Sequence, residues 1–135
     1  MPNGEVFGLI KLRIPGVTVE EQTKAIVIPK DGILEAARCL VSQGFDNLHC
    51  ITAVDNKDHI ELIYNFYSLR KHAAVTLKAQ LSGDLSIESL ARSWKSADWL
   101  EREVFDLFGV IFLNHPNLKR ILNPDEWTIH PLRKT

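Results

Sequence analysis

Leu48-His-Cys-Ile-Thr-Ala-Val-Asp55 is followed, across a short polar break, by Ile60-Glu-Leu-Ile-Tyr-Asn-Phe-Tyr67 and then by the run from His72 to Ser82. In the first run Leu48, Cys50, Thr52 and Val54 alternate with His49, Ile51, Ala53 and Asp55. In the second, Ile60, Leu62, Tyr64 and Phe66 alternate with Glu61, Ile63, Asn65 and Tyr67. In the third, Ala73, Val75, Leu77, Ala79 and Leu81 stand opposite His72, Ala74, Thr76, Lys78, Gln80 and Ser82. A strand sends successive side chains to opposite faces, so the three runs predict a meander with one buried and one wetter face. Asn56 and Lys57 supply the turn of a hairpin between the first two. Helices packed on the buried face complete the expected fold class, α+β with a mostly antiparallel sheet and helices on one side.

Working outward, Val6 to Ile14 reads as an N-terminal strand closed by Pro15-Gly16, and Lys24 to Ile28 as a short strand ended by Pro29. Asp31 suits the N-cap of a helix from Gly32 to about Gln43, with Ile33, Leu34, Ala37, Leu40 and Val41 on one face. Gly44 stands where a left-handed residue is wanted. Ser86 is expected to cap a short helix carrying Ile87, Leu90, Ala91 and Trp94. A second helix is expected at Asp98, which has capping-box spacing to Glu101, and Gly109 ends it. On that helix Ala97, Leu100, Val104, Leu107 and Phe108 fall within one apolar arc. Asp98, Arg102 and Asp106 form a polar row opposite, flanked by Trp99 and Phe105, while Glu101 and Glu103 sit at the two margins of the arc. Either both rings fold back onto the domain and the acids are solvated, or a second surface covers the helix.

The chain has 135 residues and 15.3 kDa, which makes one domain. Its 45% hydrophobic and 24% charged residues suit a globular fold whose core needs neither disulfide nor metal. Sixteen Lys and Arg against 17 Asp and Glu leave a formal charge of −1, with no electrostatic case for nucleic acid or anionic lipid. Cys39 and Cys50 lie in no C-x-x-C pair and read as structural thiols of a reducing compartment. The apolar runs are too short to span a bilayer. Met1-Pro-Asn-Gly-Glu5 lacks the pattern of a signal peptide, so the expectation is a soluble, cytoplasmic chain.

Residues 1–113 are read as the domain and 114–135 as an extended C-terminal arm. The arm has Pro116, Pro124 and Pro131, lacks glycine, and keeps neither structural period. Leu118, Ile121, Leu122, Trp127, Ile129 and Leu132 are too many apolar groups for a solvated tail. Such a segment wants a groove, and a partner is the expected source of one. His115 and His130 do not have the spacing of metal ligands on a helix, and Glu101, Glu103 and Asp106 read as caps and ion pairs before they read as acid–base carboxylates. G-x-S-x-G, Walker and G-x-G-x-x-G patterns are missing from the sequence.

The run from Glu101 to Leu122 resembles the signature of the 30 kDa subunit family of respiratory complex I. Glu101, Arg102, Glu103, Asp106, Leu107, Phe108, His115, Lys119, Ile121 and Leu122 fill its specified positions. Ser93-Trp-Lys-Ser-Ala-Asp-Trp99 is similar to the family's lead-in, Ala53-Val-Asp55 to its strand end, and Trp127-Thr-Ile-His-Pro-Leu-Arg-Lys134 to its closing motif. Members often continue with Asp-Tyr-Pro, whereas this chain stops at Lys134-Thr135.

The resemblance implies a structural subunit of the peripheral arm of a membrane-associated NADH:quinone oxidoreductase, on the cytoplasmic side of the membrane and without a span of its own. It implies no catalytic, cofactor-binding or metal-binding residue in this chain. Iron–sulfur clusters and a flavin or nickel–iron centre are expected in partner subunits. The implied partners are a large hydrogenase-like (49 kDa-type) subunit near the quinone site and a small cluster-bearing subunit. The implied interface comprises Trp99, Glu101, Arg102, Glu103, Phe105, Asp106, His115, Pro116, Leu118, Lys119, Arg120, Ile121, Leu122, Trp127, His130, Pro131, Leu132 and Arg133. Similar domains occur in energy-converting hydrogenases, formate hydrogenlyase and a coenzyme F420-linked dehydrogenase, which leaves the electron donor open. Readings of another class are an enzyme using Glu101, Glu103, Asp106 and His115 together, and an independent small-molecule-binding α+β module.

Overall fold

The computed structural model describes residues 8, 10–12, 14, 16–20, 25–82, 85–92 and 94–116. Its elements are β1 (Thr18–Val19), β2 (Ile26–Ile28), a 3-10 turn (Lys30–Gly32), α1 (Ile33–Ser42), β3 (Asn47–Asp55), β4 (Ile60–Ser68), β5 (Ala73–Leu81), β6 (Ser86–Glu88), α2 (Lys95–Phe108) and β7 (Ile111–Leu113). One sheet runs in the order β1-β2-β5-β4-β3 and a second pairs β6 with β7. The larger sheet is antiparallel apart from the β2–β5 pairing. The class is α+β, as the three alternating runs predict.

The meander forms where period two is strictest. Along β4 every second residue from Ile60 to Ser68 is buried, and the intervening ones are half-buried. Tyr64 pairs with Leu77, Leu62 with Ala79 and Phe66 with Val75, so their side chains share one face. That face joins Ile33, Ala36, Ala37 and Leu40 of α1 and Ala97, Val104 and Phe108 of α2 in a single core. Each large side chain moved there from water contributes about 1.5–3 kcal/mol. On the other face, Lys78 Nζ lies 2.9 Å from Glu20 Oε2 and 3.1 Å from Glu61 Oε1. The Glu20 hydrogen bond first, and then Glu61, hold the Lys78 ammonium above its ordinary value. The hairpin turn after β3 carries Lys57 at φ 73°, its N–H donating to Asp55 Oδ1 at 2.8 Å.

Strand β3 departs from the simple alternation. A register shift between Leu48 and Cys50 lets Leu48 face inward, and Ile51, Ala53 and Asp55 after it. Thr52 and Val54, which alternation puts on the face of Leu48, are exposed. A bulge adds one residue to one strand and so inverts every later side chain. Ser96 of α2 donates to the Leu48 carbonyl at 2.8 Å and ties the helix to the bulged edge.

Two more expectations fail at short segments. Gly8, Ile10, Lys11 and Leu12 are helical, not strand. Ile10 and Ile14 are buried while Leu12 is 85% exposed, which a strand carrying all three on one face would forbid. Ser86–Glu88 is a strand, not the start of a capped helix, because Ile87 pairs in parallel with Phe112 on β7. A single hydrogen-bonded turn follows it, closed by Trp94 N–H to the Leu90 carbonyl.

Helix ends follow the glycines. After α1 the Phe45 N–H bonds the Leu40 carbonyl and the Gly44 N–H bonds the Val41 carbonyl, with Gly44 at φ 93°. This is the Schellman arrangement, and buried Phe45 and Leu40 supply its apolar contact. Asp31 makes no cap, since a 3-10 turn precedes α1 and its N-cap position is Gly32. Gly109 closes α2 at φ 80°, its N–H on the Phe105 carbonyl at 2.9 Å. Gly109→Ala is therefore expected to cost about 1 kcal/mol in chemical denaturation, from the left-handed backbone alone.

Candidate functional site

Helix α2 begins at Lys95 with Trp94 at its N-cap, so the capping box expected of Asp98 and Glu101 does not form. Glu101 is instead a core residue. At 100° per residue Phe108, Ala97 and Val104 lie about 20°, 40° and 60° from it, all on the same side, and all four are buried. Leu100 and Leu107 are only half-buried, so the inward face is turned towards Glu101 relative to the apolar arc.

An acid placed there needs partners, because burying an unsatisfied carboxylate costs several kcal/mol. The loop after β6 provides them. Ser89 Oγ donates to Glu101 Oε1 at 2.6 Å, and the Leu90 N–H donates to Oε2 at 2.8 Å. Ser89 Oγ in turn accepts the Ala91 N–H at 3.0 Å. Burial pushes the Glu101 carboxyl up to about 7; the Leu90 and Ser89 bonds oppose the rise, and the charges of Asp98 and Glu88 add to it. Tyr64, from β4, is fully buried, and its hydroxyl has no hydrogen-bond partner among the described residues. Burial first and Glu101 second hold that phenol well above its ordinary value.

His115 completes the cluster from the segment after β7. Its side chain is entirely enclosed, with Nε2 at 3.2 Å from the Asp98 carbonyl, 3.4 Å from Asp98 Oδ1 and 3.9 Å from Glu101 Oε1. Asp98 also stands 3.9 Å from Arg102 across one helical turn. The cluster can hold a proton and fasten the β6 loop and the segment after β7 to α2. Among the described residues, no group of three or more His, Cys, Asp and Glu is placed to hold a metal ion. Cys39 and Cys50 are both free thiols.

The other residues singled out from sequence separate. Glu103 is half-buried and lies about 200° round the helix from Glu101. Asp106, assigned to a polar row facing away from the core, is fully buried. Glu101, Glu103, Asp106 and His115 therefore do not converge as one acid–base set; Glu101 and His115 alone among them meet. Phe105 packs against the domain's own core. Trp99 remains 54% exposed, with the Arg102 guanidinium 5.8 Å from its ring centre. Pro116 is exposed. Leu118, Lys119, Arg120, Ile121, Leu122, Trp127, His130, Pro131, Leu132 and Arg133 lie outside the described residues. The functional group that sequence reasoning undervalued is Glu101: an acid four residues after Ala97 and three before Val104 is on the buried stripe, and that spacing was its signal.

The pattern of the family described as respiratory-chain NADH dehydrogenase, 30 kDa subunit, matches residues 26–135, and the chain belongs to that family. The C subunit of the NADH-quinone oxidoreductase of Citrifermentans bemidjiense is 41% identical over 114 residues, which span 81% of this chain and 71% of that protein. Its counterpart of the same name in Geobacter sulfurreducens is 40% identical over 115 residues, with 81% and 71% covered. In Acidiphilium cryptum the relative is an NADH-quinone oxidoreductase C/D subunit; it is 37% identical over 113 residues, 76% of this chain but 19% of that protein. Two solved structures share the fold at 24% identity. One is the trypsin-resistant fragment of Nqo5, with a TM-score of 0.71 over 87% of this chain and 100% of that one. The other is a chain of the membrane-bound sulfane sulfur reductase, an archaeal respiratory membrane complex, with a TM-score of 0.81 over 98% and 84%.

Proposed function

We propose that this chain is a non-redox structural subunit in the peripheral arm of a membrane-associated complex of the NADH-quinone oxidoreductase type. It docks a large hydrogenase-like subunit near the quinone site, beside a small cluster-bearing subunit on the cytoplasmic side. Trp99 carries the reading: a rigid aromatic 54% exposed on a well-packed helix, steadied by Arg102, is the sort of anchor that dominates protein interfaces. Residues 114–135, rich in proline and large apolar groups, supply a second contact that needs a groove. A relative whose name joins C and D in one polypeptide supports a partner that stays alongside. No helix among the described residues is long and apolar enough to cross a membrane, so attachment comes through neighbours. The alternative, an equivalent subunit of an energy-converting hydrogenase, formate hydrogenlyase or F420-linked dehydrogenase, uses the same surfaces with a different large subunit.

Co-expression with the large subunit encoded beside it tests the proposal. A stable complex is expected; Trp99→Ala should weaken it at least tenfold, and deletion of residues 117–135 should abolish it, with circular dichroism checking the fold of each variant. Absence of a complex, or one indifferent to both changes in folded protein, overturns the proposal.

A further inference from the structure

The formal charge of −1 conceals an uneven distribution. Two turns meet at the end of the sheet where β4 passes into β5. One is the Schellman turn after α1, with Gly44 at φ 93°. The other runs from Ser68 to His72, its Lys71 N–H donating to Ser68 Oγ at 3.1 Å and His72 at φ 51°. A methyl group at Gly44 would stand 3.6 Å from Arg70 Nη2 and 3.9 Å from Lys71 Cε, so both side chains lie over the Schellman turn. Lys71 Nζ is 5.3 Å from the centre of the Phe45 ring. Two hollows open here, of about 270 and 380 Å³, and they share Val41 and Asp46 as walls. Arg38 and Trp94 line the first, and Leu69 and Arg70 line the second.

Among the described residues lining the hollows Asp46 alone is acidic. Arg92 and Lys95, both exposed, add cations on either side of Trp94 in the sequence. Arg38, Arg70, Lys71 and Asp46 form no ion pair among the described residues. Two aliphatic side chains stand among them: Leu69 is 71% exposed and Val41 42%. Apolar surface rimmed by polar groups marks a contact site, and arginine is enriched at protein interfaces. We infer that this basic, hollowed end receives an acidic segment of a neighbouring polypeptide, with an aliphatic side chain between its carboxylates. The guanidinium groups of Arg38 and Arg70 pair with those carboxylates, which their planar donor forks suit. The aliphatic group covers Val41 and Leu69 and removes apolar surface from water. Asp46 takes a peptide N–H, and it selects against a polyphosphate, every unit of which would bring a negative charge towards it. A bilayer surface is flat and does not enter the hollows that Val41 lines. The inference uses none of Trp99, Arg102 or residues 117–135, so it stands apart from the docking proposed above.

Fluorescence anisotropy on the full chain tests it, with a fluorescein-labelled peptide, Glu-Asp-Leu-Glu-Glu-Leu-Asp-Glu, as the probe. The peptide should bind saturably and weaken about fivefold or more when salt rises from about 50 to about 300 mM, as exposed charges are screened. Arg38→Glu combined with Arg70→Glu should weaken it about tenfold or more. Leu69→Ser alone should weaken it about threefold, through lost apolar contact. All three side chains are exposed, and a dispersed amide spectrum confirms that each variant folds. The amide shifts that the peptide causes should centre on Gly44, Asp46 and Arg70. A peptide with lysine in place of each acid should not bind. Failure of the unaltered chain to bind the acidic peptide, undiminished binding by either folded variant, or shifts centred elsewhere overturns the inference. Tighter binding of phosphatidylglycerol vesicles or of poly(uridylic acid) at the same salt overturns it as well.

Discussion

Glu101→Ala is expected to destabilise the chain by about 3 kcal/mol in urea denaturation at pH 6. The substitution deletes the acceptor of the Ser89 hydroxyl at 2.6 Å and of the Leu90 N–H at 2.8 Å, both in the interior. A buried donor left unpaired costs about 1–3 kcal/mol, and the vacated volume adds to that. Glu101→Gln keeps an acceptor in place and should cost about 1 kcal/mol or less. The two variants also differ from the parent in pH dependence. The folded carboxyl, raised to about 7 mainly by burial, lies above its ordinary 4.5. Between those values the folded state keeps a proton that the unfolded chain has lost. The Glu101 contribution is therefore complete below about 4.5 and disappears as pH rises through 7, by at most about 3 kcal/mol. The difference in stability between the parent and E101Q should follow that slope and level off above it. A difference that does not change from pH 5 to 7.5 would show that the carboxyl is ionised throughout.

Phe66→Ala should cost about 4 kcal/mol, the usual loss when a fully buried ring is truncated. Phe66 has no exposed surface, pairs with Leu48 on one side and Val75 on the other, and meets Trp94 edge to face at 6.0 Å between ring centres. It thereby joins the bulge of β3, the middle of the sheet and the start of α2. Phe66→Leu, which keeps most of the volume, should lose about 1.5 kcal/mol or less. Denaturation with unchanged slope would distinguish lost packing from a changed unfolded state. A loss near zero for the alanine variant would contradict the packing described for this face.

What could be read in advance depended on how long a pattern lasted. Strands β4 and β5 each run nine residues with unbroken alternation, and their faces follow from it. Strand β3 has the same length, but one extra residue near Cys50 reverses its phase, and the sequence there has no glycine to announce it. Ser86-Ile-Glu88 is too short for any period; its partner, Ile111-Phe-Leu113, is distant in sequence, so tertiary pairing decides. Ile10 and Ile14, four residues apart, satisfy both periods, and only the exposure of Leu12 between them separates helix from strand. At the candidate site, family resemblance singled out Glu101 and His115, yet their proximity depends on a loop and a post-strand turn that no local rule encodes. Asp106 shows the converse: its row with Asp98 and Arg102 is real in spacing, but burial there reflects neighbours that helical geometry does not supply.

The parallel seam between β2 and β5 has a consequence for how the chain is made. Ile26 finds Leu77, and Ile28 finds Ala79, only after both hairpin strands between them have been synthesised. The β3–β4–β5 ribbon closes through near neighbours and is cheap in loop entropy, whereas β2 joins across a long detour. On a ribosome, the first third of the polypeptide must therefore wait, with Ile26, Ile28 and the apolar side of α1 unsheltered, until the ribbon emerges. That interval is when this protein most needs a chaperone or a waiting neighbour.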